Sequence, residues 1–122
     1  MAKESPGMLA TLYGLARTYP IEESGGGVDV IFTPQAGKRF VCLHMHLHCH
    51  GAADSVIVQS KPAGAAVDLT GDLGFDAHLD MMDLKNSGFP VFVGDDIDDA
   101  LQITHTGAND VYGFAVVAEI DV

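Results

Sequence analysis

The segment from Arg39 to Cys49 constrains the fold of this chain more than any other part of the sequence. Histidines occupy every second position from residue 44 to residue 50, namely His44, His46, His48 and His50. Successive side chains of a β-strand point to opposite faces, so this spacing predicts a strand with one histidine face. The alternating apolar residues Leu43, Met45 and Leu47 are predicted to face the core.

Apolar and polar residues alternate in several other short segments, which are separated by turns rich in Gly, Pro, Asn and Asp. The segments predicted as strands are Val28–Phe32, Ser55–Ser60, Phe89–Val93, Ala100–Thr106 and Val111–Ile120. Gly51–Asp54 is predicted to be a hairpin turn. Short strands at this spacing are typical of sandwiches and jelly rolls. We therefore expect residues 28–122 to form an all-β, antiparallel, jelly-roll-like β-sandwich.

Residues 1–27 differ from the rest of the chain in their pattern and end in three consecutive glycines. Apolar residues between Met8 and Tyr19 recur at helical spacing. We expect an N-terminal arm or short helix here, with an added strand as the alternative.

The charge of the chain limits its partners. Six Lys and Arg residues stand against 17 Asp and Glu residues, which gives a formal net charge of −11. Nucleic acids and anionic membranes attract basic surfaces, so neither is an expected partner. The sequence contains no apolar stretch of membrane-spanning length, and its beginning lacks the pattern of a secretory signal. We expect synthesis in a cytoplasm.

Cys42 and Cys49 are seven positions apart in the sequence. In a single strand that separation corresponds to roughly 23 Å, which is too far for a disulfide bond. Because the separation is odd, the two thiols are predicted to point to opposite faces. Both are expected to be free and partly buried.

Imidazoles at alternate strand positions can bind one metal ion, and His-X-His on a strand is the arrangement of cupin metal sites. Such a site also needs a carboxylate and a histidine from a distant strand, for which Asp54, His78 and His105 are candidates. No glutamate lies between His46 and Val67. We expect the four histidines to contact solvent or a neighbouring subunit, with metal binding as the alternative and a pH-sensitive contact as an intermediate possibility.

No other pattern in the sequence indicates chemistry. Asp95–Asp99 has carboxylates for Ca²⁺ but lacks the EF-hand spacing, so we expect an exposed acidic loop. The aspartates at positions 72, 76, 80 and 83 are interpreted as scattered loop acids. No serine has the surroundings of a known nucleophile. We predict no catalytic residues, no cofactor and no enzymatic activity.

The order of features from Val28 to Glu119, about three-quarters of the chain, resembles the small β-sandwich virion proteins of tailed bacteriophages. The segments that carry the resemblance are Ala36–Val41, Ala53–Ser60, Leu69–Leu73, Asp99–Thr104 and Val111–Glu119. The chain departs from that pattern at its histidines, where we would expect Ser, Thr or aliphatic residues.

The resemblance implies a decoration, or cement, protein without catalysis. Such a protein binds the outer surface of a phage capsid, contacts the major capsid protein across neighbouring subunits and often forms a homotrimer. A tail or baseplate protein of the same fold is an alternative, and a small cupin-like metal-binding protein is another.

Overall fold

The structure is a computed structural model that describes residues 14–23, 26–49, 54–75, 81–86, 89–107 and 110–121. These residues form ten β-strands. Their bounds are β1 (Arg17–Glu23), β2 (Gly27–Phe32), β3 (Lys38–Cys49), β4 (Asp54–Lys61), β5 (Val67–Asp68), β6 (Leu73–Phe75), β7 (Met81–Lys85), β8 (Phe92–Val93), β9 (Ala100–His105) and β10 (Val111–Asp121). The strands predicted from alternation are confirmed, although Phe89–Val93 contributes only the two residues of β8.

The strands form two antiparallel sheets that pack against each other. The first sheet has the order β1-β10-β3-β7, with β8 also paired to β3. The second sheet has the order β2-β9-β4-β5, with β6 also paired to β4. The expected all-β sandwich is therefore confirmed.

The pairing scheme is that of a jelly roll, in which a long antiparallel ribbon is rolled into two sheets. Along the ribbon, β1 pairs with β10, β2 with β9, β3 with β7 and β8, and β4 with β5 and β6. Rolling up the ribbon adds the pairs β10–β3 and β9–β4. The successive strands β1 to β4 consequently alternate between the two sheets.

This alternation shows that the prediction of a hairpin between β3 and β4 is wrong. Both sides of β3 are already paired within the first sheet, to β10 and to β7 and β8. The chain therefore crosses to the second sheet before β4 begins. Turn-forming residues in the sequence mark where a strand ends but do not identify the strand with which it pairs.

The N-terminal part of the chain enters the sandwich earlier than residue 28. β1 (Arg17–Glu23) pairs along its whole length with β10, so the added-strand alternative describes these residues. Only Gly14 and Leu15 are helical among the described residues of the predicted helix, and its last three residues belong to β1. The rest of that helix, residues 8–13, lies outside the described residues.

An extra residue in β3 reverses the direction of the side chains along that strand. Cys42 pairs with Val117 and His44 pairs with Val116, so Leu43 has no pairing partner in β10. Such a β-bulge shifts the alternation of faces by one residue. Residues before and after Leu43 therefore follow opposite parity rules.

The bulge overturns two predictions based on strict alternation. Cys42 and Cys49 both lie in the main core rather than on opposite faces, and both are free, as expected. Leu43 does not face that core. It is buried in a second apolar cluster with Val41 and Ala118, on the outer face of the first sheet, where Ala16 packs against it.

The main core lies between the two sheets. Met45 and Leu47 of β3 are fully buried there, as predicted. The other members are Ile21, Ile31, Phe40, Cys42, Cys49, Val56, Val58, Phe75, Leu101, Ile103, Val111, Ala115 and Val117. Among the described residues, no helix has the length and apolar character needed to span a membrane.

Candidate functional site

Three of the four predicted histidines lie side by side on the outer face of the first sheet. After the bulge, Met45 and Leu47 of β3 point into the core, so His44, His46 and His48 point away from it. Each of the three is half-buried. His50 lies outside the described residues. We use the name histidine face for the outer surface formed by these three side chains and their neighbours on β7 and β10.

An aspartate from the neighbouring strand connects two of these histidines. Asp83 is the middle residue of β7 and pairs directly with His46. Its Oδ1 lies 2.7 Å from Nδ1 of His46 and 3.2 Å from Nε2 of His44. With a proton on each of these nitrogens, one carboxylate oxygen accepts two hydrogen bonds. We use the name Asp83 clasp for this group of three side chains.

Of the predicted loop acids, positions 76 and 80 lie outside the described residues. The prediction for Asp83 is wrong, although the sequence contains a signal for its position in β7. Met82 and Leu84 on either side of it are partly buried against the core. This short alternation places Asp83 on the outer face of an edge strand. No signal in the sequence indicated which strand lies next to β7, and that pairing brings the aspartate to the histidines.

An aromatic ring holds the other side of the two imidazoles. The Phe114 ring on β10 stacks on His46 at 5.5 Å between ring centroids, with 15° between the planes. The same ring meets His44 edge-on at 5.3 Å and 84°. Both imidazoles are therefore positioned between Phe114 and Asp83. Their side chains are only 28% and 24% exposed, for His44 and His46 respectively.

The two hydrogen bonds change the acidity of Asp83. The bond from His46 lowers the pKa of this carboxyl most, and the bond from His44 lowers it further. A lowered pKa in the folded state means that the ionised carboxylate contributes stability above its ordinary pKa. That contribution is lost as the pH falls through the pKa of the folded state. Half of the Asp83 side chain remains exposed, so solvent screens the effect.

The described residues contain no group of three or more His, Cys, Asp or Glu side chains placed to hold a metal ion. His105 is buried in the interior on β9, whereas His44 and His46 face outward from the other sheet. The first sheet therefore separates His105 from these two histidines. His105 cannot complete a metal site with them. His78 lies outside the described residues, as does the side chain of Asp54.

Asp95, Asp96 and Asp98 are exposed, as predicted for an acidic loop, but the segment Asp95–Asp99 is also bonded to the sandwich. Asp99 is buried, and its Oδ2 accepts a hydrogen bond of 2.8 Å from the hydroxyl of Ser60. Asp98 adopts a φ of 69°, and its Oδ1 accepts a bond of 2.6 Å from the backbone N–H of Gly37. Two of these carboxylates thus fix the loop to the sandwich.

The outer face of the second sheet carries a small network of side-chain hydrogen bonds. Oε1 of Gln59 accepts bonds from Gln102 at 2.8 Å and from Thr104 at 2.6 Å. Nε2 of Gln59 donates to Asp68 at 2.8 Å. These bonds tie together β4, β5 and β9.

Large apolar side chains are exposed at several places among the described residues, including both sheets. Val28 and Val30 are 54% and 53% exposed, and both pair with outward-facing residues of β9. At the edge of the first sheet, three other side chains are exposed, namely Met81 of β7 (68%), Phe89 between β7 and β8 (59%) and Val93 of β8 (42%). Exposed apolar groups of this kind are common at contact surfaces between proteins.

Comparison with known proteins found no matching family model, no matching curated protein and no matching solved structure.

Proposed function

We propose that this chain is a structural virion protein, namely a decoration protein that stabilises a phage head from outside. The observation that carries the proposal is the ordered likeness from Val28 to Glu119 to small phage β-sandwich proteins. The jelly-roll topology supports it, because this topology is common among proteins of viral capsids. Jelly rolls also serve other functions, so the proposal depends on the likeness together with the surfaces described above.

The exposed apolar residues support a role in assembly. Val28 and Val30 lie on the second sheet, whereas Met81, Phe89 and Val93 lie at the free edge of the first sheet. Apolar side chains exposed on both sheets allow one molecule to contact two neighbours at once. We propose that the exposed residues of one sheet contact another copy in a homotrimer and that those of the other sheet contact the major capsid protein.

The charge of the chain supports a position outside the shell. A net charge of −11 is unfavourable beside packaged DNA but is compatible with an outer capsid surface. A protein that binds only assembled capsid subunits stabilises the assembled state by mass action. It needs no catalytic residues for this purpose, and its effect grows with the area buried across subunit boundaries.

Two measurements test the proposal. Analytical ultracentrifugation of the purified chain gives its oligomeric state, for which we expect a trimer. Cosedimentation with empty phage capsids that lack their own decoration protein measures capsid binding. A monomer without capsid affinity would refute the proposal. Binding to isolated tails or baseplates instead of heads would assign the chain to the tail.

Surface variants identify the patches that are used. Val30→Asp places a charge on the exposed patch of the second sheet, and Phe89→Asp does the same at the edge of the first sheet. We expect one variant to abolish trimers and the other to abolish capsid binding. Asp72→Asn is a matched control, because Asp72 is exposed and lies in neither patch.

A further inference from the structure

The Asp83 clasp connects an edge strand to the sheet through two imidazoles and a carboxylate. β7 lies at the end of the first sheet and has β3 as its paired neighbour. It has five residues, of which only Met82 and Leu84 pack against the core. Apart from backbone pairing and this limited apolar burial, the clasp therefore contributes substantially to holding β7 in place.

We propose that the Asp83 clasp is a pH-sensitive device that holds β7 to β3 more tightly in mildly acidic solution than at neutral pH. At neutral pH, an uncharged imidazole can donate a hydrogen bond to Asp83 from the nitrogen that faces it. Protonation leaves both bonds in place, because each nitrogen that faces Asp83 still carries a proton. The bonds then join a cation to an anion, which makes them shorter and stronger.

The position of Asp83 reverses the behaviour expected of clustered histidines alone. Protonated imidazoles on one face repel each other, and acid would then loosen the strand. Here one carboxylate oxygen lies within hydrogen-bond distance of both rings, at 2.7 and 3.2 Å. The stacked Phe114 ring also favours a cation above its face. Only when Asp83 itself takes up a proton, in strong acid, does repulsion between the two rings dominate.

The other charged groups around the clasp are the cation Lys85 and the carboxylates Glu22 and Asp110. Lys85 on β7 pairs with His44, and Tyr112 on β10 pairs with His48. Glu22 on β1 pairs with Tyr112, whose hydroxyl donates to Asp110 at 2.9 Å. Lysine, tyrosine and carboxyl groups change little in charge between about pH 5 and 7.5. His48 is the third described histidine on this face, and a variant can test it separately.

Hydrogen exchange of backbone amides tests the proposal on the whole chain. The opening constant of the protected amides in β7 is measured at about pH 7.5 and pH 5, after correction for intrinsic exchange rates. We expect β7 to open about two- to fivefold less often at pH 5, as is typical of a half-exposed ion pair. The protected amides of β9 report global unfolding and serve as the internal reference.

Matched variants separate the clasp from general effects of charge. Asp83→Asn should reverse the pH dependence of β7, because the two protonated rings then repel each other without a carboxylate between them. His46→Gln should weaken it, because only the 3.2 Å bond from His44 to Asp83 remains. Asp68→Asn removes the same charge from another edge strand, where the carboxylate accepts a bond from Gln59 rather than from histidine. This variant and His48→Gln should both behave as the natural chain does.

Two results would overturn the proposal. One is a tightening of β7 at pH 5 that has the same size in Asp83→Asn and His46→Gln as in the natural chain. The other is a change in β7 that only follows the change in β9, since that would be an effect on global stability. If Asp83→Asn does not fold, His46→Gln carries the same test.

Discussion

Replacing Gly113 by alanine should cause a large loss of stability, because β10 approaches β3 closely at this residue. A Cβ atom built on Gly113 overlaps the carbonyl oxygen of His46 and lies 2.8 Å from its carbonyl carbon. The same Cβ lies 3.2 Å from Cα of Leu47, which is a backbone atom and not the end of a flexible side chain. The φ angle of Gly113 is 156°, a value that residues with a side chain rarely adopt.

The surroundings of Gly113 leave little room for adjustment. Gly113 pairs with Ile21 of β1 on one side and with Leu47 of β3 on the other. Moving β10 away from β3 would therefore disturb two ladders of hydrogen bonds and the core beneath them. Backbone strain costs about 1–3 kcal/mol, and overpacking in a well-packed region costs about as much. We expect Gly113→Ala to lower the free energy of unfolding by about 2–4 kcal/mol.

Urea denaturation followed by circular dichroism measures this change, since the chain contains no tryptophan. Gly74→Ala is the matched control, because a Cβ at Gly74 has no atom within 4 Å. That variant should be neutral or more stable by about 0.5 kcal/mol. A Gly113→Ala protein within about 0.5 kcal/mol of the natural chain would contradict the close approach of β10 and β3.

Two further substitutions and one alkylation reaction test the core. Leu47→Asp should abolish folding, because it places an unpaired charge in a fully buried position; a cooperative unfolding transition in this variant would contradict the assignment of faces. Ser60→Ala should cost about 1–3 kcal/mol in urea denaturation, because buried Asp99 loses its 2.8 Å hydrogen bond, and an unchanged midpoint would show that the bond is dispensable. Burial raises the pKa of the Cys42 thiol to about 12, so it should resist alkylation at about pH 8 until urea unfolds the chain, whereas rapid labelling of the folded protein would show that the thiol is accessible.

The histidine face shows how far sequence reasoning reached at the candidate site. Alternation along β3 correctly placed Met45 and Leu47 inside and the histidines outside. It could not identify Asp83 as their partner, because the neighbour of β7 is set by how the ribbon is rolled up. The pairing of Asp83 with His46 joins positions 37 residues apart in the chain. Local patterns contain no information about such a contact.

The sequence by itself determined six of the ten strands, because a period of two follows from the geometry of a single strand and the demand for a buried face. These six strands are β2, β3, β4, β8, β9 and β10. The sequence also excluded a disulfide bond between Cys42 and Cys49, because their distance along β3 is set by backbone dimensions. Only the tertiary structure decided which strands are neighbours, and it replaced the expected hairpin after β3 with a crossing between sheets. The tertiary structure also decided the bulge at Leu43, because a bulge is defined by the pairing of β3 with β10. One unpaired residue there turned Cys42 towards the same core as Cys49 and moved Leu43 to the outer face.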